Sequence, residues 1–229
     1  MTQQAVKKPA IGLMGGTFDP IHLGHLRLAW EAHSLLGLSQ TEIMPCHLPP
    51  HRDTPSSNAQ HRLEMARLAC ADTTSFHVND WEIEKQTNSY SIETLSHLRE
   101  HISPDSPLVF IMGMDAFRMF CRWHRWQDIL NLCHLWVSHR PGSSPPEEHS
   151  DEFQLLQQHR AAQPKDLLAS PAGKIHVHNT TALDISATQL RDNIDQGFEP
   201  RFLLPEPVWQ YIKQQQLYGW QKNTTFSDK

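Results

Sequence analysis

The first apolar run, residues 10–14, ends in Gly15-Gly16, and after a short loop residues 24–36 set Leu26, Ala29, Trp30, His33 and Leu36 at three- and four-residue spacing ahead of Gly37. Strand, glycine turn and helix are predicted in that order. Residues 42–46 read as a second strand, followed by the proline-marked loop 49–55, and Asn58 suits the cap of a helix whose apolar side holds Leu63, Ala66, Leu68 and Ala69. The alternation over 76–83 predicts a strand and 92–101 a helix, while the continuous apolar run 108–112 reads as a strand buried on both faces, with 133–138 another. The Pro-, Ser- and Glu-rich stretch 141–151 reads as a solvated loop, with a short helix around 153–159 and a strand over 174–178 beyond it. Ser186-Ala187-Thr188-Gln189 fits an S-x-x-Q capping box, Gly197 stands where that helix should stop, and a final helix is predicted over 207–218. Strands separated by helical segments imply right-handed βαβ crossovers, so the expected class is α/β: a mostly parallel sheet flanked by helices, with a small C-terminal helical part.

Composition narrows the chemistry. A chain of 229 residues, 38% hydrophobic and 20% charged, with seven tryptophans, can bury a core. One domain over 1–229 is expected, its core about 10–218, with the tails 1–9 and 221–229 frayed. The longest apolar run, 108–114, falls far short of the roughly 20 residues that cross a bilayer, and no apolar signal segment follows the polar start. Neither secretion nor a membrane partner is expected. A net charge of -5 argues against binding nucleic acid through bulk charge but leaves room for a small phosphorylated ligand at one local site. The four cysteines, Cys46, Cys70, Cys121 and Cys133, form no CxxC pair and suggest reduced thiols and a cytoplasmic protein. Sixteen histidines keep metal binding open.

The most informative segment is GGTFDPIHLGH, from Gly15 to His25. It contains neither GKS/T nor GxGxxG, so two common phosphate-binding explanations fail. What remains is a glycine turn exposing backbone N–H groups, then two imidazoles, His22 and His25, beside a helix N-terminus. Such donors suit phosphate oxygens at the carboxyl end of a strand. Taken alone, HxxH could be a metal pair, or His25 a residue at the helix N-terminus satisfied by a backbone carbonyl, and Asp19 could be a turn former before Pro20. The segment resembles the signature of the nucleotidyltransferase superfamily with the (H/T)xGH motif, relatives of the class I aminoacyl-tRNA synthetases. Over about 10–218 the chain resembles the bacterial nicotinate-nucleotide adenylyltransferases. That resemblance implies a Rossmann-like nucleotidyltransferase fold in which His22 and His25 contact the ATP phosphates and stabilise charge as the α-phosphate is attacked. Gly15, Gly16, Thr17 and Phe18 are implied ATP-binding residues.

Residues 185–191, ISATQLR, resemble the family's second ATP-binding element, ISxTxxR. A capped helix start offers N–H donors, Ser186 and Thr188 add hydroxyls, and Arg191 can reach a phosphate with its fork; alone, the segment is also an ordinary capping box with an exposed arginine. Gly113-Met114-Asp115 matches the family's GxD beside the nucleotide, and would otherwise be a helix cap. Arg140 resembles a position near ATP. For the acceptor, the resemblance points to the loop carrying Arg52, to backbone N–H groups at Tyr90 and Ser91, and to Trp123. An indole face suits an electron-poor pyridine ring, and its carboxylate wants donors only. Ser91 stands where the family usually has Thr, and Cys46 or His47 replaces the usual Asn before Pro49-Pro50. Trp126, Trp136, Trp209 and Trp220 have no motif support and read as packing residues.

The implied reaction joins ATP and nicotinate mononucleotide to give deamido-NAD and pyrophosphate. The acceptor phosphate is already anionic, so no general base is required. Mg2+ would be carried with ATP rather than by protein ligands, since the sequence has no dense carboxylate cluster. Transfer to nicotinamide mononucleotide or phosphopantetheine, a non-catalytic pyridine-nucleotide sensor and a histidine-rich metal-binding protein stay open, as does the oligomeric state.

Overall fold

The structure, a computed structural model, describes residues 8–49, 54–139, 143–181 and 183–221. Arg52 and Arg140, and most of both expected frayed tails, lie outside them. The chain runs β1 (Ile11–Gly16), α1 (Leu23–Leu36), β2 (Gln40–Pro45), α2 (Ala59–Cys70), β3 (Phe76–Val78), α3 (Trp81–Lys85), α4 (Ser91–His101) and β4 (Leu108–Gly113). It continues through α5 (Met114–Phe117), α6 (Trp126–Leu132), β5 (His134–His139), α7 (Asp151–His159), β6 (Ile175–Asn179), α8 (Ala187–Asp195) and α9 (Glu206–Gln214).

Six strands form one sheet in the order β3-β2-β1-β4-β5-β6. Every named pairing is parallel, where the sequence suggested mostly so. This is a Rossmann-like arrangement. Alternate side chains of the central strands feed two cores. Met14, Ile43, Ile111 and Trp136 pack with α1, α2, α8 and α9 on one face. Leu13, Met44, Phe110 and Val137 pack with α4 and α6 on the other. Burial on both faces is why β1, β4 and β5 are near-continuous apolar runs. The chain leaves β1 toward β2 on one side and later returns to place β4 on the other. The switch in strand order therefore falls between β1 and β4, where α/β sheets open a crevice at the carboxyl ends of their strands.

Several elements differ from the sequence pattern. The expected turn at Gly15-Gly16 is still strand, because both residues continue the ladder opposite Met44 and Pro45; the chain leaves the strand at Thr17 and turns at Asp19-Pro20. The strand expected over 76–83 ends at Val78. There the Asn79 side chain accepts the Trp81 N–H at 3.1 Å, the Asp80 carbonyl accepts Ile83 and Glu84, and a short helix starts. The final helix stops at Gln214 rather than running to 218, since Gln216 and Tyr218 have positive φ, 51° and 56°. Helix α6 and the 3-10 turn Pro164–Leu168, whose apolar spacing is short, were not foreseen. The two caps do form: Asn58 accepts the His61 N–H at 2.9 Å and Ser186 accepts the Gln189 N–H at 3.5 Å. Gly197 follows α8 with φ of 83°, as a helix stop requires.

Candidate functional site

The mouth of the crevice is built by the segment leaving β1. Phe18 is buried with φ of 51°, and its ring folds back so that a Cβ on Gly16 would meet Phe18 Cε1 at 2.7 Å. Only glycine permits that approach. The Phe18 edge then meets the His25 ring, centroids 5.1 Å apart at 80°. His22 is the N-cap of α1, buried, with its ring stacked on His25 at 3.6 Å, and its backbone N–H donates to His25 Nδ1 at 3.3 Å. Gly24 between them admits this stack. A Cβ there would lie 3.0 Å from His22 Nδ1 and 3.7 Å from Ile185.

That proximity brings the second motif against the first. Arg191 donates from one guanidinium nitrogen to the Asp19 carbonyl at 2.7 Å and from the other to the Thr188 hydroxyl at 3.3 Å. Ser186 and Thr188 are exposed at the start of α8. Two helix N-termini, α1 and α8, thus converge with a guanidinium beside the end of β1, an arrangement suited to a polyanion. Gly113 closes β4 across the crevice with open space where a side chain would be, and Asp115 is exposed in the first turn of α5.

Asp19 does more than turn the chain. Its carboxylate accepts the backbone N–H groups of Ser56 at 2.7 Å and Ser57 at 3.3 Å, and the hydroxyls of Ser57 at 2.5 Å and Tyr218 at 2.7 Å. Burial, with the Asp19 charge beside it, pushes the Tyr218 phenol well above its ordinary value, so it serves as a donor.

A second organising residue, Arg62, escaped sequence reasoning. It is 1% exposed and donates to the carbonyls of Thr17 at 2.8 Å, Cys46 at 2.6 Å and His47 at 2.8 Å. One guanidinium therefore ties the exit of β1 to the exit of β2. The available signal was an arginine adjoining the apolar stripe of α2.

The segment after β2 leads to the remaining candidates. Leu48 accepts the Ser89 N–H at 3.0 Å, and the His47 N–H donates to the Ser89 hydroxyl at 3.0 Å. Tyr90 caps α4, so the first N–H groups of that helix, at Tyr90 and Ser91, open beside this loop. Trp123 is half-buried against Phe110 at 6.1 Å and Phe120 at 5.4 Å, while Tyr90 lies 4.7 Å from His124. These residues pack on the α4 face of the sheet, opposite Phe18 and Ile21. At the position of the absent Asn, Cys46 is buried and its thiol is pushed up by burial, whereas His47 offers a buried Nδ1 without a hydrogen-bond partner among the described residues. Of the unsupported tryptophans, Trp136 and Trp209 are core residues, Trp220 packs on Trp209 and Trp126 on Phe120.

The cytidylyltransferase-like family model matches residues 13–193. The protein named "Probable nicotinate-nucleotide adenylyltransferase" of Aeromonas hydrophila is 46% identical over 211 residues, covering 92% of this chain and 98% of that protein. The protein of the same name from Hahella chejuensis is 42% identical over 210 residues, covering 91% and 95%. Among solved structures, the Plasmodium falciparum nicotinic acid mononucleotide adenylyltransferase complexed with NaAD is similar with a TM-score of 0.69, at 16% identity, over 93% of this chain and 98% of that one. That last likeness is one of fold.

Proposed function

The chain belongs to the nicotinate-nucleotide adenylyltransferase family, within the cytidylyltransferase-like group, and from that premise we propose how its residues carry the reaction. The enzyme transfers the adenylyl group of ATP to nicotinate mononucleotide, giving deamido-NAD and pyrophosphate in NAD biosynthesis.

The single observation that supports the assignment of roles is the Arg191 to Asp19 contact at 2.7 Å, which gathers both motifs at the carboxyl end of β1. In this reading His22 and His25, with the backbone of Gly15, Gly16, Thr17 and Phe18, hold the ATP phosphates. Ser186, Thr188 and Arg191 hold them from α8, and Gly113 and Asp115 border the nucleotide. The N–H groups of Tyr90 and Ser91 receive the nicotinate carboxylate, and Trp123 stacks the ring. Arg52 and Arg140 complete the assignment from outside the described residues.

The acceptor phosphate oxygen attacks the α-phosphorus, a P–O bond forms, and the bond to pyrophosphate breaks with its electron pair on the leaving group. The imidazoles and Arg191 stabilise the charge that develops, which is the main work in phosphoryl and nucleotidyl transfer. Enzymes of this kind use a divalent metal; we take it to be Mg2+ arriving with ATP as part of the substrate. The donor set at the crevice fits that choice, since both Asp19 oxygens are already engaged by Ser56, Ser57 and Tyr218. The one-domain reading is part of the same proposal, supported by a single sheet spanning β1 to β6. So is a cytoplasmic location, supported by four free cysteines. A pyrophosphate-release assay with ATP and a panel of phosphorylated acceptors tests the function. Release with nicotinate mononucleotide is expected; release only with another acceptor overturns the reading.

A further inference from the structure

The C-terminal half of α4 carries side chains that nucleotide transfer leaves unused. His97, Glu100 and His101 each bring one ligand-type atom within 4.8 Å of the others, His97 half-buried and the other two exposed. Their spacing explains it, because positions i, i+3 and i+4 share one helix face. The rings are already held. The His101 Nδ1–H donates to the His97 carbonyl at 2.7 Å, which leaves Nε2 as the lone-pair nitrogen. Metal-binding histidines are commonly oriented by just such a carbonyl behind the ring. The His97 ring stacks on Trp81, centroids 4.3 Å apart at 11°, and stands 4.3 Å from His101. Beside it a cleft of about 310 Å³, bordered by Trp81, Glu93 and Arg125, leaves room for water. The cations at this cleft are already paired: Lys85 with Glu93, and Arg125 with Asp128 at 2.8 Å.

We propose that His97, Glu100 and His101 form a surface site for a borderline divalent cation such as Zn2+, with two imidazole nitrogens, one carboxylate oxygen and a water in the fourth position. The donor set excludes Mg2+ and Ca2+ as the natural occupants, since those ions take oxygen ligands. Ligands of one Zn2+ at about 2.0–2.1 Å stand roughly 3.3 Å apart, so the donors close by small side-chain adjustments, chiefly of the exposed Glu100, that keep the His101 bond to the His97 carbonyl and leave the helix backbone unchanged. The cation would sit at the last turn of α4, where the helix dipole is negative, and would bridge one turn of the helix whose first N–H groups belong to Tyr90 and Ser91. Its effect is therefore to stabilise that helix, independently of the nucleotide chemistry at its other end.

The test is calorimetric titration of ZnCl2 into the metal-free full-length protein near neutral pH, with thermal unfolding run in parallel. One saturable equivalent and a Zn2+-dependent rise in Tm are expected. His97→Ala and His101→Ala should each weaken that equivalent by at least about 10- to 100-fold and abolish the rise, while leaving the circular dichroism spectrum unchanged. His77→Ala, on the exposed side of β3, should change neither. Zn2+ binding that survives both substitutions, as it would if His22 and His25 were the ligands, overturns the proposal. So does the absence of a saturable equivalent in the unmodified protein.

Discussion

The Tyr218 hydroxyl donates to the Asp19 carboxylate at 2.7 Å, joining residues 199 positions apart. Tyr218 follows the end of α9 at Gln214 and, with positive φ, presents its ring to the segment between β1 and α1. The tail thus closes over the loop that carries His22.

Tyr218→Phe removes that donor and keeps the ring. Hydrogen bonds to charged groups contribute about 1.5–3 kcal/mol, so urea unfolding should show a stability loss in that range. Because Ser56 and Ser57 still hold Asp19, turnover should fall less than it does when an imidazole of the crevice is removed. An unchanged unfolding midpoint would remove the bond from the account of this loop.

The contrast between what the chain pattern revealed and what it hid follows from sequence distance. GGTFDPIHLGH and ISATQLR are contiguous, and their residues meet through Gly24, Ile185 and Arg191. Strands buried on both faces announce themselves as apolar runs, which is how β4 and β5 were legible. Asn79 hid the end of β3, since a side-chain oxygen that captures the Trp81 N–H leaves no trace in alternation. Arg62 and Tyr218 were illegible for a related reason: their partners lie on segments remote in the chain, and only folding brings those carbonyls and carboxylates to them.

Arg62→Lys tests the first of these remote contacts. A planar fork reaches three carbonyls from two exits of the sheet, whereas an ammonium is a compact point donor. Stranded buried carbonyls cost about 1–3 kcal/mol each, so the variant should lose at least about 2 kcal/mol in urea unfolding. A loss within error would show that the carbonyls are satisfied without the fork.

Acid sensitivity should arise partly at His134. This ring is fully buried at the start of β5; Nε2–H donates to the Ser170 carbonyl at 2.8 Å, and Nδ1 accepts the Lys174 N–H at 3.0 Å. Protonation would set two N–H groups against each other. Burial holds the folded-state pKa below the ordinary 6.5. The unfolded chain therefore binds a proton that the native protein refuses, so stability is fully present above about pH 6.5 and falls as pH drops through the window below it. His134→Gln should flatten this dependence between about pH 7.5 and 5.5 in urea unfolding, and an unaltered slope would assign it to other histidines.

His25→Ala addresses the proposed charge stabilisation directly. The ring is held by His22 and Phe18 and is only half-buried, so its loss should leave the fold intact. Removing one preorganised donor typically lowers turnover about 100- to 1000-fold. Steady-state rates near those of the unmodified enzyme in a folded variant would exclude the role.

Acceptor choice depends on a distinction that shape cannot make, since carboxylate and carboxamide are almost the same size. Polarity can make it. The N–H groups that open α4 at Tyr90 and Ser91 reward two acceptor oxygens and leave an amide NH2 facing another donor. Charge-assisted hydrogen bonds are worth an extra kcal/mol or more, so kcat/KM should favour nicotinate mononucleotide over the nicotinamide form by at least about 10- to 100-fold. Ser91→Ala should hardly alter that ratio, because the donor is main chain. Trp123→Ala should weaken both acceptors together, because the indole braced by Phe110 and Phe120 offers its face to either ring. Equal efficiency of the two mononucleotides with the unmodified enzyme would show that α4 does not read the carboxylate, while leaving the assignment of His22, His25 and Arg191 untouched.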